Sequence, residues 1–213
     1  MSSPAQSADA TLPVAERLLD AAAAVIGRYG LRRTTMEEVA RAAHCSRPTT
    51  YKHYGTREAL LAAVFVREAE RYLDGLARVP TVAGPGEPAA LEEAFVHTLG
   101  FVRGNPLLQA VASADRTGIY DVLFLDGGRV VAVLIAGITR FVTDLAESGA
   151  LRAGVAVESV VDAFIRIVAS FLLLPRVVVD PMDEDAARTL FRVAVIEGVS
   201  PSRAASRQTG RRR

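Results

Sequence analysis

Residues 34–61 read TTMEEVARAAHCSRPTTYKHYGTREALL, and this stretch decides the fold. Thr35 and Glu38 have the spacing of a capping box, in which each side chain binds the backbone amide of the other residue, so a helix should begin near Met36. Its apolar pattern stops before Ser46, which is a favourable N-cap for another helix. The sequence therefore predicts two short helices in close succession, joined by a tight turn.

Further helices flank this pair. Proline is tolerated in the first turn of a helix, where its missing N–H has no partner, so Pro48 is compatible with a second short helix over residues 47–54. Upstream, apolar residues repeat at helical spacing over Val14–Tyr29, and Gly30 follows as a C-cap. Downstream, Thr56 is the expected N-cap of a fourth helix. Four helices are thus predicted in the first third of the chain.

The remaining sequence continues this pattern and predicts an all-α protein of about nine helices. Helical patterns cover residues 89–103, 106–114, 129–147, 157–174 and 183–198, and Gly or Pro residues separate them. Residues 176–180 are β-branched but too short to favour a strand. The Pro- and Gly-rich segment 79–88 predicts a domain boundary. The expected organisation is a flexible N-terminal tail (1–12), a helix-turn-helix domain with its connecting helix (13–78), a larger helical domain (79–200) and a basic disordered tail (201–213).

Composition excludes several classes of protein. The 213 residues include 25 basic and 24 acidic side chains, so the net charge of +1 does not by itself indicate a nucleic-acid partner. The single cysteine, Cys45, excludes an intramolecular disulfide and favours the cytoplasm. The most apolar stretches are shorter than the roughly 20 residues of a membrane span, so no membrane association is expected. His44, Cys45 and His53 lack metal-ligand spacing, and neither metal nor cofactor is expected.

Positive charge is concentrated on the two short helices. Residues 32–57 contain six basic and two acidic side chains. Helical spacing places five residues of the second short helix on one exposed face: Arg47, Pro48, Thr49, Lys52 and His53. Thr50 and Tyr54 should point inward. A helix braced in this way can enter the major groove of DNA, where arginine pairs with guanine while lysine holds phosphate oxygens.

The stretch from Thr34 to Leu61 resembles the signature of the TetR (tetracycline-repressor-like) family, and the similarity extends over most of residues 14–65. This resemblance implies a sequence-specific regulator that binds double-stranded DNA at a palindromic operator as a homodimer. It also implies a repressor that a small hydrophobic ligand releases from the operator. By the same resemblance the DNA-binding residues are Thr35, Ser46, Arg47, Pro48, Thr49, Tyr51, Lys52, His53 and Arg57.

The resemblance assigns roles to the later helices as well. Residues 163–175 are similar to the penultimate helix of many members, which forms the dimer interface together with the last helix. Both helices are more apolar than a one-sided amphipathic helix requires. The expected dimer residues are Phe164, Val168, Phe171, Leu172, Leu190 and Val193. Ligand-binding residues are expected among the apolar side chains of the preceding region: Phe95, Leu99, Val102, Leu107, Val111, Tyr120, Leu123 and Phe141.

Two other functions stay open at this point. One is a regulator without a small-molecule ligand, or one driven by a protein partner, and the other is a small all-α enzyme. The sequence shows no nucleophile with a paired base and no phosphate-cradling glycine loop, so no catalytic residue is assigned. We expect His97 to be a satisfied or surface histidine, with ligand binding as the alternative, and Cys45 to be a packing residue. The arginine-rich C-terminus is expected to be a solvated tail, with phosphate contact as the alternative.

Overall fold

The computed structural model describes residues 12–80, 89–114, 118–173 and 183–199. This part of the chain forms ten helices and contains no strand, which confirms the all-α prediction. The helices are α1 (Val14–Tyr29), α2 (Met36–Ala42), α3 (Arg47–Tyr54), α4 (Arg57–Leu76), α5 (Ala89–Gly104), α6 (Pro106–Ala114), α7 (Gly118–Leu123), α8 (Leu125–Glu147, with a kink where residues 126–128 have positive φ), α9 (Val157–Leu173) and α10, which runs through Glu184–Phe191, a π-helical turn at Arg192–Ile196, and Glu197–Val199.

The predicted bounds of the first three helices are confirmed, and their end signals act as expected. Gly30 ends α1 with a φ of 83°, a conformation that favours glycine, and its N–H donates to the Ile26 carbonyl. Thr35 and Glu38 form both halves of the capping box at the start of α2. Gly55 ends α3 with a φ of 70°. Local sequence signals therefore determine where these helices begin and end.

Some features differ from the predicted pattern or lie beyond it. The six-residue helix α7 was not predicted, because so short a segment shows no apolar periodicity. Tyr29, expected on the inner face of α1, is 45% exposed, and the Arg28 guanidinium lies over its ring. The β-branched segment within 176–180, the boundary segment from 81 to 88, residues 1–11 and the C-terminal tail lie outside the described residues. Among the helices that are described, none has both the length and the hydropathy needed to cross a membrane.

The chain divides into two compact units. The first contains the described residues up to Glu70 together with Arg103–Val133, and the second contains the other described residues. In this division Arg103–Val133 joins the first unit and the residues from Arg71 join the second, whereas the predicted domain ranges, 13–78 and 79–200, are continuous. The sequence pattern locates helices along the chain, but it does not show which helices pack together.

Packing and polar contacts hold the first unit together. Helix α6 packs against α1. The Asn105 amide, which is buried, donates to Glu68 Oε2 of α4 at 2.7 Å, and its oxygen accepts the N–H of Leu107 at the start of α6. Arg67 of α4 donates to Asp20 of α1 at 2.7 Å. Helix α4 is therefore tied to both α1 and the segment that begins α6.

Aromatic rings form the centre of the second unit. Phe95 of α5 stacks on Phe191 of α10 with 4.3 Å between ring centroids, and Phe164 of α9 meets Phe191 edge-on at 5.8 Å. The Tyr72 hydroxyl lies 2.8 Å from Thr98 Oγ1 in the interior. Burial raises the pKa of Tyr72 to about 12, so the phenol stays neutral. The core of this unit is thus built around neutral rings and one satisfied hydroxyl pair.

An ion cluster joins α5 to α10 within the second unit. The Glu92 side chain is only 8% exposed and accepts hydrogen bonds from Arg192 at 2.8 Å and from Arg188 at 3.3 Å. Arg188 also contacts Glu93 at 2.6 Å and Glu184 at 3.1 Å. Burial of Glu92 favours its protonated form, but the hydrogen bonds from the two arginines outweigh burial, so the pKa of Glu92 lies below its usual value.

The Glu92 cluster predicts a pH-dependent contribution to stability. Because the pKa of Glu92 is lower in the folded state, the stabilisation is present above about pH 4.5, the ordinary value, and is lost as the pH falls through the folded pKa. We expect Glu92→Gln to lower the free energy of unfolding by about 1–3 kcal/mol at neutral pH. Denaturant titrations across pH measure this, and the deficit should shrink in acid.

Glu93→Gln is the matched control, because the Glu93 side chain is 53% exposed and the substitution removes the same charge. It should change the free energy of unfolding by less than about 0.5–1 kcal/mol. An equal effect of both substitutions, or a Glu92→Gln deficit that is constant down to strongly acidic pH, would contradict the assigned role of Glu92.

Candidate nucleic-acid interface

Helix α3 presents a polar face to solvent and a small inner face to the first unit. Thr50 is fully buried, and Tyr54 is half-buried with its hydroxyl donating to the Ala15 carbonyl of α1 at 3.0 Å. Both residues point inward, as predicted. The other side chains of α3 are exposed apart from the half-buried Thr49: Arg47, Pro48, Tyr51, Lys52 and His53. The predicted DNA-binding residues of α3 therefore lie on a helix that Thr50 and Tyr54 anchor to the rest of the first unit.

The turn before α3 and the cap of α3 set its first residues in place. His44 adopts a φ of 52° in the turn, where a non-glycine residue is uncommon. Ser46 Oγ then accepts the N–H of Thr49 at 3.2 Å and lies 2.7 Å from Thr49 Oγ1. The N-cap prediction for Ser46 is confirmed. The hydroxyls of Ser46 and Thr49 are thus paired with each other at the exposed start of the helix.

Arg47 is held by two neighbours. Its Nη2 lies 2.7 Å from Glu37 Oε1 of α2, and its guanidinium lies over the Tyr51 ring, 5.5 Å from the centroid. Tyr51 and the Glu37 carboxylate raise the pKa of Arg47 above its usual value, so the group stays charged. The Glu37 contact was not predicted, because it joins two helices and no local pattern in the sequence reveals it.

Arg57 has a structural role that the sequence did not reveal. Its Nε donates to the Thr34 carbonyl and its Nη2 to the Leu31 carbonyl, both at 2.6 Å, and Nη1 contacts Glu58 at 3.2 Å. The planar guanidinium thereby clamps the segment between α1 and α2. The phosphate contact implied for Arg57 stays a prediction, because much of its donor capacity is used within the protein.

Thr35 is exposed, and its polar atoms serve the start of α2. Thr35 Oγ1 accepts the Glu38 N–H at 3.2 Å, and the Thr35 N–H donates to Glu38 Oε2 at 3.0 Å. The phosphate contact predicted for Thr35 is likewise untested. Cys45 is half-buried, with Arg17 Nη2 at 3.5 Å from its sulfur. Within the described ranges, no group of three His, Cys, Asp or Glu side chains is placed to hold a metal ion.

The predicted ligand-binding residues fall into two separate sets. Phe95, Leu99 and Phe141 are buried in the core of the second unit, where Val102 is half-buried. Leu107 and Val111 are buried in the first unit and Leu123 is half-buried there. The side chain of Tyr120 lies outside those the structure describes. His97 is satisfied, as expected, because its Nε2 lies 3.1 Å from the Tyr72 carbonyl oxygen and its ring stacks on that of Tyr72.

The predicted dimer residues differ in exposure. Leu190 and Val193 of α10 are 40% and 59% exposed. Val168 and Phe171 of α9 are half-buried, whereas Phe164 is buried in the core of its own chain against Phe191. The side chain of Leu172 is outside the described set. The exposed apolar side chains of this group therefore lie on α10.

Comparison with known proteins agrees with this geometry. Residues 18–64 match the family described as bacterial regulatory proteins, tetR family. An uncharacterised HTH-type transcriptional regulator of Mycobacterium tuberculosis strain H37Rv is 32% identical over 207 residues, which cover 96% of this chain and 94% of the relative. The R. erythropolis transcriptional repressor QsdR has a similar fold, with a TM-score of 0.59 and 18% identity over 85% of this chain and 94% of that one. AibR, solved in complex with isovaleryl coenzyme A and operator DNA, gives a TM-score of 0.56 with 19% identity over 86% and 98%.

The capped pair α2 and α3, with its exposed basic face, defines a helix-turn-helix DNA-binding transcriptional regulator. The relative from M. tuberculosis is also an HTH-type transcriptional regulator, and this chain matches it over nearly its whole length. The chain belongs to the TetR family of bacterial regulatory proteins.

The Arg57 clamp predicts that arginine at this position is needed for stability as well as charge. Lysine keeps the positive charge but cannot bridge two carbonyls with a planar fork, so Arg57→Lys should lower the free energy of unfolding by about 1–3 kcal/mol in the absence of DNA. Chemical denaturation measures this. Arg41→Lys, on an exposed residue of α2, is the control and should leave stability unchanged within about 0.5 kcal/mol. Full stability of Arg57→Lys would show that the clamp contributes nothing.

Proposed function

We propose that this regulator is a homodimeric repressor, that it binds a palindromic operator through α3, and that a small hydrophobic ligand releases it. The observation that carries the proposal is the exposed face of α3, where Arg47, Lys52 and His53 are held on a buried base formed by Thr50 and Tyr54. Arginine supplies the donor pair that guanine accepts in the major groove, and lysine supplies a point charge for phosphate.

The dimer is proposed because one α3 reads only a short half-site. Two copies related by a two-fold axis place their recognition helices about 34–36 Å apart, one turn of DNA, and thereby require a palindrome. Leu190 and Val193, exposed on α10, support a second copy of this chain as the partner of that face. Such an interface is isologous, which means that both subunits contribute the same surface patch to it.

Ligand release is proposed from the apolar character of the helical region and from AibR, which was solved with isovaleryl coenzyme A and operator DNA. A regulator without a ligand is the alternative. A panel of hydrophobic small molecules, tested beside isovaleryl coenzyme A, distinguishes the two: a compound that releases the protein from its operator supports sensing, and failure of all supports the alternative. An enzyme is disfavoured because the relatives that match over most of their length are transcriptional regulators.

The operator is found by selecting bound sequences from random duplex DNA, and α3 is tested on the enriched sequence. Because each dimer carries the substitution twice, Arg47→Ala should weaken operator binding by about 2–6 kcal/mol, roughly thirtyfold or more, and relax the preference at one base pair of each half-site. Lys52→Ala should weaken binding to all sequences alike and reduce the slope of log Kd against log salt by about two, one for each subunit of the dimer. Fluorescence anisotropy with operator and scrambled duplexes measures both effects.

Arg140→Ala is the matched control, because Arg140 is an exposed arginine on α8 in the second unit, away from α3 and from the helices expected at the dimer interface. It should leave operator affinity unchanged. Enrichment of no sequence, or equal effects of Arg47→Ala on operator and scrambled DNA, would contradict specific reading by α3. A base-specific loss in Lys52→Ala would instead move Lys52 from phosphate contact to base contact.

A further inference from the structure

Glu37 is an acidic side chain placed where negative charge opposes DNA binding. Residues 32–57 contain only two acidic side chains. Glu38 is used by the capping box of α2, in which it accepts the Thr35 N–H and hydroxyl. Glu37 has no part in that box. Its side chain is 44% exposed, and it reaches across to Arg47 at the start of α3.

The contact gives Arg47 a defined position. Arg47 is 60% exposed, and an exposed arginine ordinarily samples many rotamers. Here Glu37 Oε1 lies 2.7 Å from Nη2, and the guanidinium lies 5.5 Å from the Tyr51 ring centroid one helical turn further along α3. The Glu37 carboxylate of α2 and the Tyr51 ring of α3 therefore both contact the planar guanidinium of Arg47.

This arrangement leaves donors available for a base. A guanidinium has five N–H groups, and guanine needs two of them for its O6 and N7. The Glu37 contact engages Nη2, so N–H groups on the rest of the fork can face the groove. We propose that Glu37 is a positioning residue that fixes the Arg47 guanidinium for guanine, and thereby sets operator specificity. The inference rests on the proposed role of Arg47 as a base reader.

Positioning has a cost that makes the proposal testable. A carboxylate beside the phosphate backbone lowers affinity for all DNA, because it adds repulsion without any base information. If Glu37 orients Arg47, its removal weakens discrimination between bases. If Glu37 merely occupies Arg47 in the free protein, its removal releases Arg47 and strengthens binding to every sequence, with no change in discrimination.

The experiment compares the full-length protein with Glu37→Gln on two duplexes: the selected operator, and the operator changed at the base pair that depends on Arg47. We expect Glu37→Gln to reduce the ratio of the two affinities about five- to tenfold while binding of scrambled DNA stays equal or tightens. In an Arg47→Ala background the same substitution should leave the ratio unchanged. Glu16→Gln, which removes an exposed charge paired with Arg67, is the control and should not alter the ratio.

The outcomes separate this inference from the proposed function. If Arg47→Ala relaxes base preference but Glu37→Gln leaves the affinity ratio intact, the positioning role is overturned and base reading by Arg47 stands. If Arg47→Ala itself leaves base preference unchanged, the proposed reader is wrong. A uniform gain in affinity for all duplexes in Glu37→Gln also overturns positioning. Thermal unfolding of Glu37→Gln checks that the variant is folded. We expect an unchanged melting temperature, because the substitution leaves the Thr35–Glu38 capping box of α2 in place.

Discussion

The hydrogen bond from the Thr49 N–H to Ser46 Oγ, at 3.2 Å, is the contact on which the exposed basic face of α3 depends. Helix α3 has eight residues, and Thr50 is the one that is fully buried. Helices of this length are marginal in water, and α3 has little apolar surface to bury. Its shape is therefore maintained by polar contacts: the Ser46 cap at one end, Gly55 at the other, and the Tyr54 hydroxyl on the Ala15 carbonyl.

The same constraint explains how the rest of the first unit is arranged. The small inner face of α3 packs on the rest of the first unit, and side chains also hold the neighbouring segments in place. Arg57 binds the Thr34 and Leu31 carbonyls, and Arg67 ties α4 to Asp20 of α1. The positive charge of Arg47 is also held by a side chain, because its guanidinium pairs with the Glu37 carboxylate. Holding the Arg47 side chain in this way reduces the conformational entropy that it can lose on binding.

Sequence predicted the parts of this account that depend on local signals. The bounds of α1, α2 and α3 followed from Gly30, the Thr35 capping box and Ser46, because caps act within a few residues. Contacts between distant segments were missed, including the Arg57 clamp and the Glu37 ion pair. The grouping of Arg103–Val133 with the first unit was not visible in the sequence for the same reason, since periodicity shows which face is apolar but not what covers it. The short α7 had no periodicity to detect.

The most direct test of base reading by α3 is to replace each guanine of the selected half-site with 7-deazaguanine, which removes the N7 acceptor in the major groove and keeps base pairing. We expect one position per half-site at which the replacement weakens binding of the wild-type protein by roughly fivefold, with no further loss in Arg47→Ala. Equal losses in the wild-type protein and Arg47→Ala, or no loss at any guanine, would contradict the claim that Arg47 reads guanine from α3.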